Sequence, residues 1–107
     1  MDVNRFNLRV YGLLFHENKL LITHERRGDV VMTKFPGGGL EFKEGIKDCL
    51  IREFKEELEI EINVAGLYYV NDFLQISKYK SSDQLISFYY KVGSIFLNEI
   101  QTKSKRP

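Results

Sequence analysis

The sequence predicts an α/β domain of the α+β type, in which one amphipathic helix follows a glycine-rich turn and strands lie on either side. Residues 36–60, PGGGLEFKEGIKDCLIREFKEELEI, contain both the turn and the helix. Leu50, Phe54 and Leu58 recur at the spacing of one helical face, and Ile51 lies beside them. This apolar stripe should therefore pack against a core.

The rest of the chain has strand features, namely apolar–polar alternation or enrichment in β-branched and aromatic residues. Five stretches share them: residues 6–15, 19–25, 30–35, 61–76 and 85–97. Residues 16–18 should form the turn of a hairpin between the first two. Gly66 should bend the fourth stretch or place a bulge in it.

Composition limits the classes of function. The chain has 107 residues, enough for one small domain, and its hydrophobic content of 43% is enough for a modest core. A net charge of +1 gives no strong field, so we expect no nucleic-acid or membrane partner. The N-terminus does not resemble a signal peptide, and no apolar run approaches the length of a membrane span.

Cys49 is the only cysteine, so the chain cannot form an internal disulfide. This fits a reducing compartment, and we expect a cytoplasmic protein. No histidine is near Cys49 in sequence, which favours a packed small residue over a nucleophile.

A second helical stripe, adjacent to the apolar one, carries Arg52, Glu53, Glu56 and Glu57. Like charges one turn apart destabilise a helix by about 0.2–0.5 kcal/mol per pair. A divalent cation such as Mg²⁺ would relieve this repulsion, because it prefers oxygen ligands. Taken alone, the stripe is better explained as a solvated charged face, the usual fate of such runs. The preceding glycines favour ligand binding, since they let backbone groups approach an anion or a metal.

Together, the turn and the helix resemble the Nudix box, G-x5-E-x7-R-E-U-x-E-E-x-G-U, where U is apolar. The matching residues are Gly38, Glu44, Arg52, Glu53, Phe54, Glu56, Glu57 and Ile60. One position departs from the pattern, because Glu59 stands where the family has glycine. Glycine would end the helix in the left-handed conformation, which costs another residue about 1–2 kcal/mol. We expect the helix to end either with that strain or in a different way.

The resemblance implies the Nudix fold, a mixed β-sheet with the box helix packed on it in an α/β/α sandwich. Domains of this family continue into a second helix, and residues 98–107 contain too little apolar sequence to form one. We therefore expect a single domain, residues 1–107, that is truncated at its C-terminus and lacks that helix. A sheet face left bare would favour self-association, for example as a homodimer.

The resemblance also implies a hydrolase dependent on Mg²⁺ or Mn²⁺, which cleaves the pyrophosphate bond of a nucleoside diphosphate linked to another moiety. The alternative is a catalytically weak or inactive nucleotide-binding domain, which the short C-terminus and Glu59 favour. By analogy, the catalytic residues are Glu53, Glu56, Glu57, Arg52 and Glu44. The implied metal ligands are Glu53, Glu56, Glu57 and the carbonyl of Gly37. The implied substrate-binding residues are Gly37, Gly38, Gly39, Arg26, Arg27 and Glu41.

Within this implied set, Arg52 would hold the carboxylates by bidentate hydrogen bonds rather than touch substrate. Glu44 would take a second metal or steer Arg52. Arg26 and Arg27 either face substrate phosphates or belong to a solvated loop, and the sequence favours neither interpretation. Lys34 could reach a phosphate, although a lone lysine on a strand is usually solvated.

The identity of the catalytic base is open. Asp83 and Glu99 are candidates in later loops, and His24 is another, although a polar residue on a strand is more often plain surface. Aromatic residues are candidates to stack on a nucleobase, but most should belong to the core. They are Tyr68, Tyr69, Phe73, Tyr79, Phe88, Tyr89 and Tyr90.

Overall fold

The computed structural model describes residues 2–94. The predictions for Glu99, for the end of the last strand and for the missing C-terminal helix lie outside these residues. The elements, in chain order, are β1 (Arg5–His16), β2 (Lys19–Leu20), β3 (Thr23–Arg27), β4 (Val30–Lys34), β5 (Gly37–Gly39), α1 (Ile46–Leu58), β6 (Asn63–Val70) and β7 (Asp83–Gly93).

The main sheet is mixed. Its strands lie in the order β2-β1-β7-β6, and β5 also pairs with β1. β1 runs parallel to β7, whereas the other neighbouring pairs are antiparallel. β3 and β4 form a separate antiparallel hairpin. The prediction of a mixed sheet with one helix packed on it is confirmed.

The first hairpin has the predicted turn, in which Glu17 and Asn18 take positive φ angles of 51° and 64°. The prediction of one strand over residues 19–25 is wrong. β2 ends at Leu20, and β3 begins at Thr23 in the separate hairpin. The backbone N–H of Leu21 still donates to the Leu14 carbonyl at 3.0 Å, so the chain leaves the main sheet just after it.

The core lies between α1 and one face of the sheet. Leu50 and Phe54 are fully buried there against Val10, on β1, and its neighbours. Gly12 allows this contact, because a Cβ at that position would overlap the Phe54 ring. Ile51 was expected beside the apolar stripe but is 41% exposed, so the buried face of α1 is narrower than predicted. Within residues 2–94, no helix is long and apolar enough to span a membrane.

The helix ends in the left-handed conformation, although Glu59 stands where the family pattern has glycine. Glu59 has φ 57° and ψ 35°, the left-handed conformation, and its N–H donates to the Lys55 carbonyl at 2.9 Å. At the other end, the Asp48 carboxylate accepts a hydrogen bond from the Gly45 N–H at 3.3 Å. Of the two helix endings considered, the chain adopts the strained one.

β6 is shorter than the stretch predicted for it and ends at Val70. Its pairing with β7 shifts register between Val64 and Leu67, which brackets Gly66 and confirms the expected bulge. After the strand, Asn71 organises the connection to β7. Its side-chain oxygen accepts from the Ser87 N–H at 2.5 Å.

Candidate active site

The three glycines predicted as a turn form a short strand, β5, along the edge of β1. Gly37 lies opposite Tyr11, and Gly38 lies opposite Val10. A Cβ at Gly37 would overlap the Val10 carbonyl oxygen, and its φ of 152° is a conformation that other residues rarely adopt. A Cβ at Gly38 would overlap the carboxylate of Glu53. These glycines therefore let the acidic stripe of α1 approach the sheet.

Arg52 lies at the centre of the acidic stripe. Its guanidinium donates to both carboxylate oxygens of Glu44, at 2.8 and 3.0 Å, in a bidentate pair. It also donates to Glu53 at 3.0 Å and to Glu56 at 3.1 Å. A further bond, at 3.1 Å, reaches the Gly39 carbonyl. One side chain thus ties the glycine strand and the Glu44 loop to the helix.

Electrostatics around Arg52 follow from these bonds. Hydrogen bonding to Arg52 lowers the pKa of Glu44 to about 2, so this carboxylate is ionised at neutral pH. The same contact raises the pKa of Arg52. Burial and the Glu44 charge raise the pKa of the Cys49 thiol to about 12. Cys49 is fully buried, and its Sγ lies 3.5 Å from the Gly39 carbonyl oxygen, as expected of a packed residue rather than a nucleophile.

Glu57 faces a different set of partners. It accepts a hydrogen bond from the Gly37 N–H at 2.9 Å, and its other oxygen lies 3.7 Å from the ammonium of Lys34. Burial is the main reason that the pKa of Glu57 is raised, and the nearby charges of Glu53 and Glu25 add to it.

Lys34, at the end of β4, is the cation on this side of the site. Its Nζ lies 3.2 Å from the Gly37 carbonyl oxygen and 3.3 Å from a carboxylate oxygen of Glu25. The side chain is only 13% exposed, so the expectation of a solvated lysine is wrong. Sequence reasoning missed Glu25. The signal would have been the hairpin, which places Thr23 opposite Lys34 and so puts Glu25 close to it.

The other predicted substrate-binding residues are less tightly placed. Glu41 lies at the edge of the site, 3.7 Å from Arg52, and its N–H donates to Glu44 at 3.0 Å. Arg27 pairs with Glu25 at 3.0 Å and lies over the Tyr79 ring, 4.6 Å from its centroid. The structure thus connects Arg27 to Lys34 through Glu25. Arg26 is exposed on β3.

Two candidate bases, His24 and Asp83, have hydrogen-bond partners outside the acidic stripe. The Nδ1 of His24 is 3.0 Å from the Thr33 hydroxyl on the exposed hairpin. Asp83 is buried and accepts from Arg5 at 2.7 and 2.8 Å, and also from Asn7 at 3.2 Å. These hydrogen bonds lower the pKa of Asp83, as in a structural ion pair.

An aromatic cluster lies beside Lys34, on the strands β1, β6 and β7 and just after β4. Tyr11 and Tyr89 stack with ring centroids 5.4 Å apart, and Phe35 meets Tyr89 edge-on at 6.0 Å. Tyr69 is also 6.0 Å from Tyr89. The Nζ of Lys34 is 5.9 Å from the centroid of the Tyr11 ring, which joins the cluster to the carboxylates. Of the residues expected to stack on a base, Tyr69 and Tyr89 are in this cluster.

Within residues 2–94, no group of three or more His, Cys, Asp or Glu side chains is arranged to hold a metal ion. The contacts explain this, because Arg52 holds Glu53 while Lys34 and a backbone N–H hold Glu57. The donors themselves fit a hard divalent cation, since they are carboxylate and carbonyl oxygens. Moreover, the Gly37 carbonyl oxygen already accepts a hydrogen bond from the ammonium group of Lys34.

The family assignment rests on a match that spans most of the chain. The NUDIX domain family matches residues 5–104. The chain belongs to the Nudix family. The segment from Gly38 to Ile60 is therefore its Nudix box, and Glu59 is the one departure from the pattern.

Solved structures share this Nudix fold. A NUDIX hydrolase from Nitrosomonas europaea superposes with a TM-score of 0.75 at 18% identity, over 96% of this chain and 82% of that one. The E. coli ORF135 protein gives a TM-score of 0.70 at 22% identity, over 82% and 61%. A MutT Nudix hydrolase from methicillin-resistant Staphylococcus aureus 252 gives 0.61 at 25% identity, over 87% and 68%.

The chain spans 61% of the length of the ORF135 protein. No curated protein gives a significant match.

Proposed function

We propose that this chain is a hydrolase that uses Mg²⁺ or Mn²⁺ to cleave the pyrophosphate bond of a nucleoside diphosphate linked to another moiety. One observation carries the proposal. The Glu53 carboxylate lies against Gly38, and Glu57 accepts a hydrogen bond from the Gly37 N–H. The carbonyl oxygen of Gly37 already accepts a hydrogen bond from the ammonium group of Lys34. Membership of the Nudix family supports it. Structural neighbours named MutT and ADP-ribose pyrophosphatase support the substrate class.

In this proposal the cation is held by Glu53, Glu57 and the Gly37 carbonyl, with Glu56 completing the set. When bound, the metal supplies charge neutralisation at the phosphates and lowers the pKa of a water. Partial burial raises the pKa of Glu57, and the nearby charges of Glu53 and Glu25 add to it, so its ionised form is disfavoured in the absence of a metal. That cost is what a bound divalent cation would offset.

Arg52 and Glu44 act as positioning residues in the proposal. The bidentate pair fixes the plane of the guanidinium, which in turn orients Glu53 and Glu56 from the same helix. Since Arg52 also donates to the Gly39 carbonyl, it fixes the position of the helix relative to the glycine strand. None of these bonds requires Arg52 to touch the substrate.

The substrate side of the proposed site combines the glycine strand with the aromatic cluster. A diphosphate beside Gly38 and Gly39 would lie near Lys34, and a base could reach the Tyr11–Tyr89 stack. Stacking of a base on an aromatic ring contributes about 1–3 kcal/mol without demanding a particular base. The cluster is therefore compatible with several nucleotides, and we propose no single one.

The direct test is turnover of a nucleotide panel with Mg²⁺ or Mn²⁺, followed by mass spectrometry of the products. The panel contains nucleoside triphosphates, ADP-ribose, nucleotide sugars, dinucleoside polyphosphates and NADH. Glu53→Gln and Glu57→Gln should each lower turnover by about 10²–10³-fold. Glu61→Gln, on an exposed glutamate paired with Lys55, is the matched control and should keep its activity. Equal rates in all three variants would contradict the site.

A nucleotide-binding domain without turnover is the second candidate. The observation that favours it is the lack, within residues 2–94, of carboxylates already arranged around a metal position. Calorimetric titration of the same panel separates the two, because binding that persists without product formation supports the second candidate. Hydrolysis that disappears in Glu57→Gln excludes it.

The remaining parts of the proposal concern the setting of the protein. We propose a small-molecule nucleotide as its partner and the cytoplasm as its compartment. The homodimer stays a prediction, and light scattering of the purified chain tests it. A monodisperse monomer would contradict it.

A further inference from the structure

We propose that Lys34 is an internal counter-ion, which occupies part of the metal site until a divalent cation displaces it. Metal entry would then require the ammonium group to leave Glu57 and the Gly37 carbonyl. The inference rests on the proposed metal-dependent function, and it assigns Lys34 a role in controlling metal affinity.

The geometry is that of a bound cation. The Nζ of Lys34 lies 3.2 Å from the Gly37 carbonyl oxygen, 3.3 Å from Glu25 and 3.7 Å from Glu57. An ammonium group has three N–H donors and no acceptor. Here it donates to the Gly37 carbonyl and forms ion pairs with the carboxylates of Glu25 and Glu57. The side chain is 13% exposed, which means that protein atoms, rather than water, form most of its surroundings.

Two of these three oxygen-bearing groups, Gly37 and Glu57, also belong to the proposed ligand set of the metal. Mg²⁺ binds its oxygen ligands at about 2.0–2.1 Å with nearly octahedral geometry. An ammonium group that contacts the same two groups at 3.2 and 3.7 Å would lie within a few ångströms of such an ion. Repulsion between the two cations and competition for the same lone pairs make their simultaneous binding unfavourable.

The surroundings of Lys34 also show how it could leave. Glu25 belongs to the β3–β4 hairpin rather than to the ligand set, so the ammonium group can keep this partner while it releases the others. The Tyr11 ring, with its centroid 5.9 Å away, offers a second favourable surface for the cation. A lysine side chain has a flexible four-carbon stem, which suits it to this movement.

Arg52 differs from Lys34 in this respect. Its bidentate pair with Glu44 and its bond to the Gly39 carbonyl lie on groups outside the proposed ligand set, and they can persist when its bonds to Glu53 and Glu56 are released. It can therefore remain in place while Glu53 turns toward a metal. Of Lys34 and Arg52, Lys34 is therefore the one that a metal ion would displace.

The experiment measures binding of Mn²⁺ alone, without nucleotide, by calorimetry on the full chain. Lys34→Met should bind Mn²⁺ about tenfold more tightly than the wild-type chain, because the competing cation is gone. Its melting temperature without metal should fall, and the rise on adding Mn²⁺ should be larger than in the wild type. A purely structural role for Lys34 would weaken the metal site instead.

Lys55→Met is the matched control, since it removes an exposed lysine of α1 that pairs with Glu61, outside the proposed site. It should leave Mn²⁺ affinity unchanged. Lys34→Arg retains a positive charge in a less easily displaced form and should bind Mn²⁺ more weakly than Lys34→Met. Should Lys34→Met fail to fold by circular dichroism, Lys34→Gln keeps a polar end and serves the same comparison.

The outcomes separate this inference from the proposed function. Metal-dependent turnover by the wild type, combined with no gain of Mn²⁺ affinity in Lys34→Met, would overturn the inference and leave the function standing. Absence of Mn²⁺ binding in both chains would overturn both. Binding by Lys34→Met but not by the wild type would support the counter-ion role and identify Lys34 as the reason for a silent metal site.

Discussion

Replacing Arg52 with methionine removes the side chain that connects α1, the Glu44 loop and the glycine strand. Methionine keeps the unbranched shape of the stem, so the change removes mainly the guanidinium and its hydrogen bonds. Glu44 and the Gly39 carbonyl then lose a common partner. Glu53 and Glu56 are left to repel each other and Glu57. We expect loss of stability together with loss of metal-dependent turnover.

The magnitude follows from the exposure of the partners. Removing one member of a buried ion pair costs about 3–5 kcal/mol, because the other charge is left without compensation. The side chains of Glu44 and Glu53 are each 15% exposed and that of Glu56 is 60% exposed, so water can partly replace the guanidinium. We therefore expect a loss of about 2–3 kcal/mol. In a domain of this size, such a loss lowers the melting temperature by about 10–20 °C.

Urea unfolding followed by circular dichroism measures the change in the free energy of unfolding. Arg26→Met is the matched control, because Arg26 is exposed on β3, and its change should stay within about 0.5 kcal/mol. Our reasoning would be refuted by an Arg52→Met chain that is as stable as the control. It would also be refuted by one that retains full metal-dependent turnover.

Three further changes test separate parts of the site. Gly38→Ala should push the Glu53 carboxylate aside and lower turnover by on the order of 100-fold, with a stability loss of only about 1 kcal/mol, measured by paired kinetics and urea melts. Glu59→Gly should raise the free energy of unfolding by about 0.5–1 kcal/mol, because it relieves the left-handed strain but loses the side chain's own interactions; an unchanged urea midpoint would contradict this. Glu44→Gln should destabilise the chain at pH 7. The difference should shrink as the pH falls from 4.5 toward about 2, since a carboxylate with a lowered pKa stabilises the fold only while it is ionised, and acid unfolding curves measure it.

The helix was predictable because its signals are local. The spacing of Leu50 and Phe54 identifies the buried face, and both residues are fully buried. Ile51 was misplaced because the width of the buried face depends on what packs against it. Here Gly12 lets the sheet approach Phe54, whereas Ile51 is 41% exposed.

The strands were harder to delimit than the helix. The run from Lys19 to Glu25 contains no glycine or proline, so nothing local marks the point where the chain leaves the main sheet. The three glycines from Gly37 to Gly39 look like a turn because they have high local freedom, and only pairing with β1 makes them a strand. Strand boundaries thus depend on partners that are remote in sequence.

By itself, the sequence determined the family, the box helix and the order of its acidic residues, because periodicity and spacing are properties of neighbouring positions. Only the tertiary structure decided which charges meet. It joined Glu57 to Gly37 across β5, and it brought Lys34 and Glu25 together through a hairpin that the sequence did not reveal. These contacts arise from how the sheet and the helix pack, and that packing turned a lysine expected to face water into a largely buried cation beside the carboxylates.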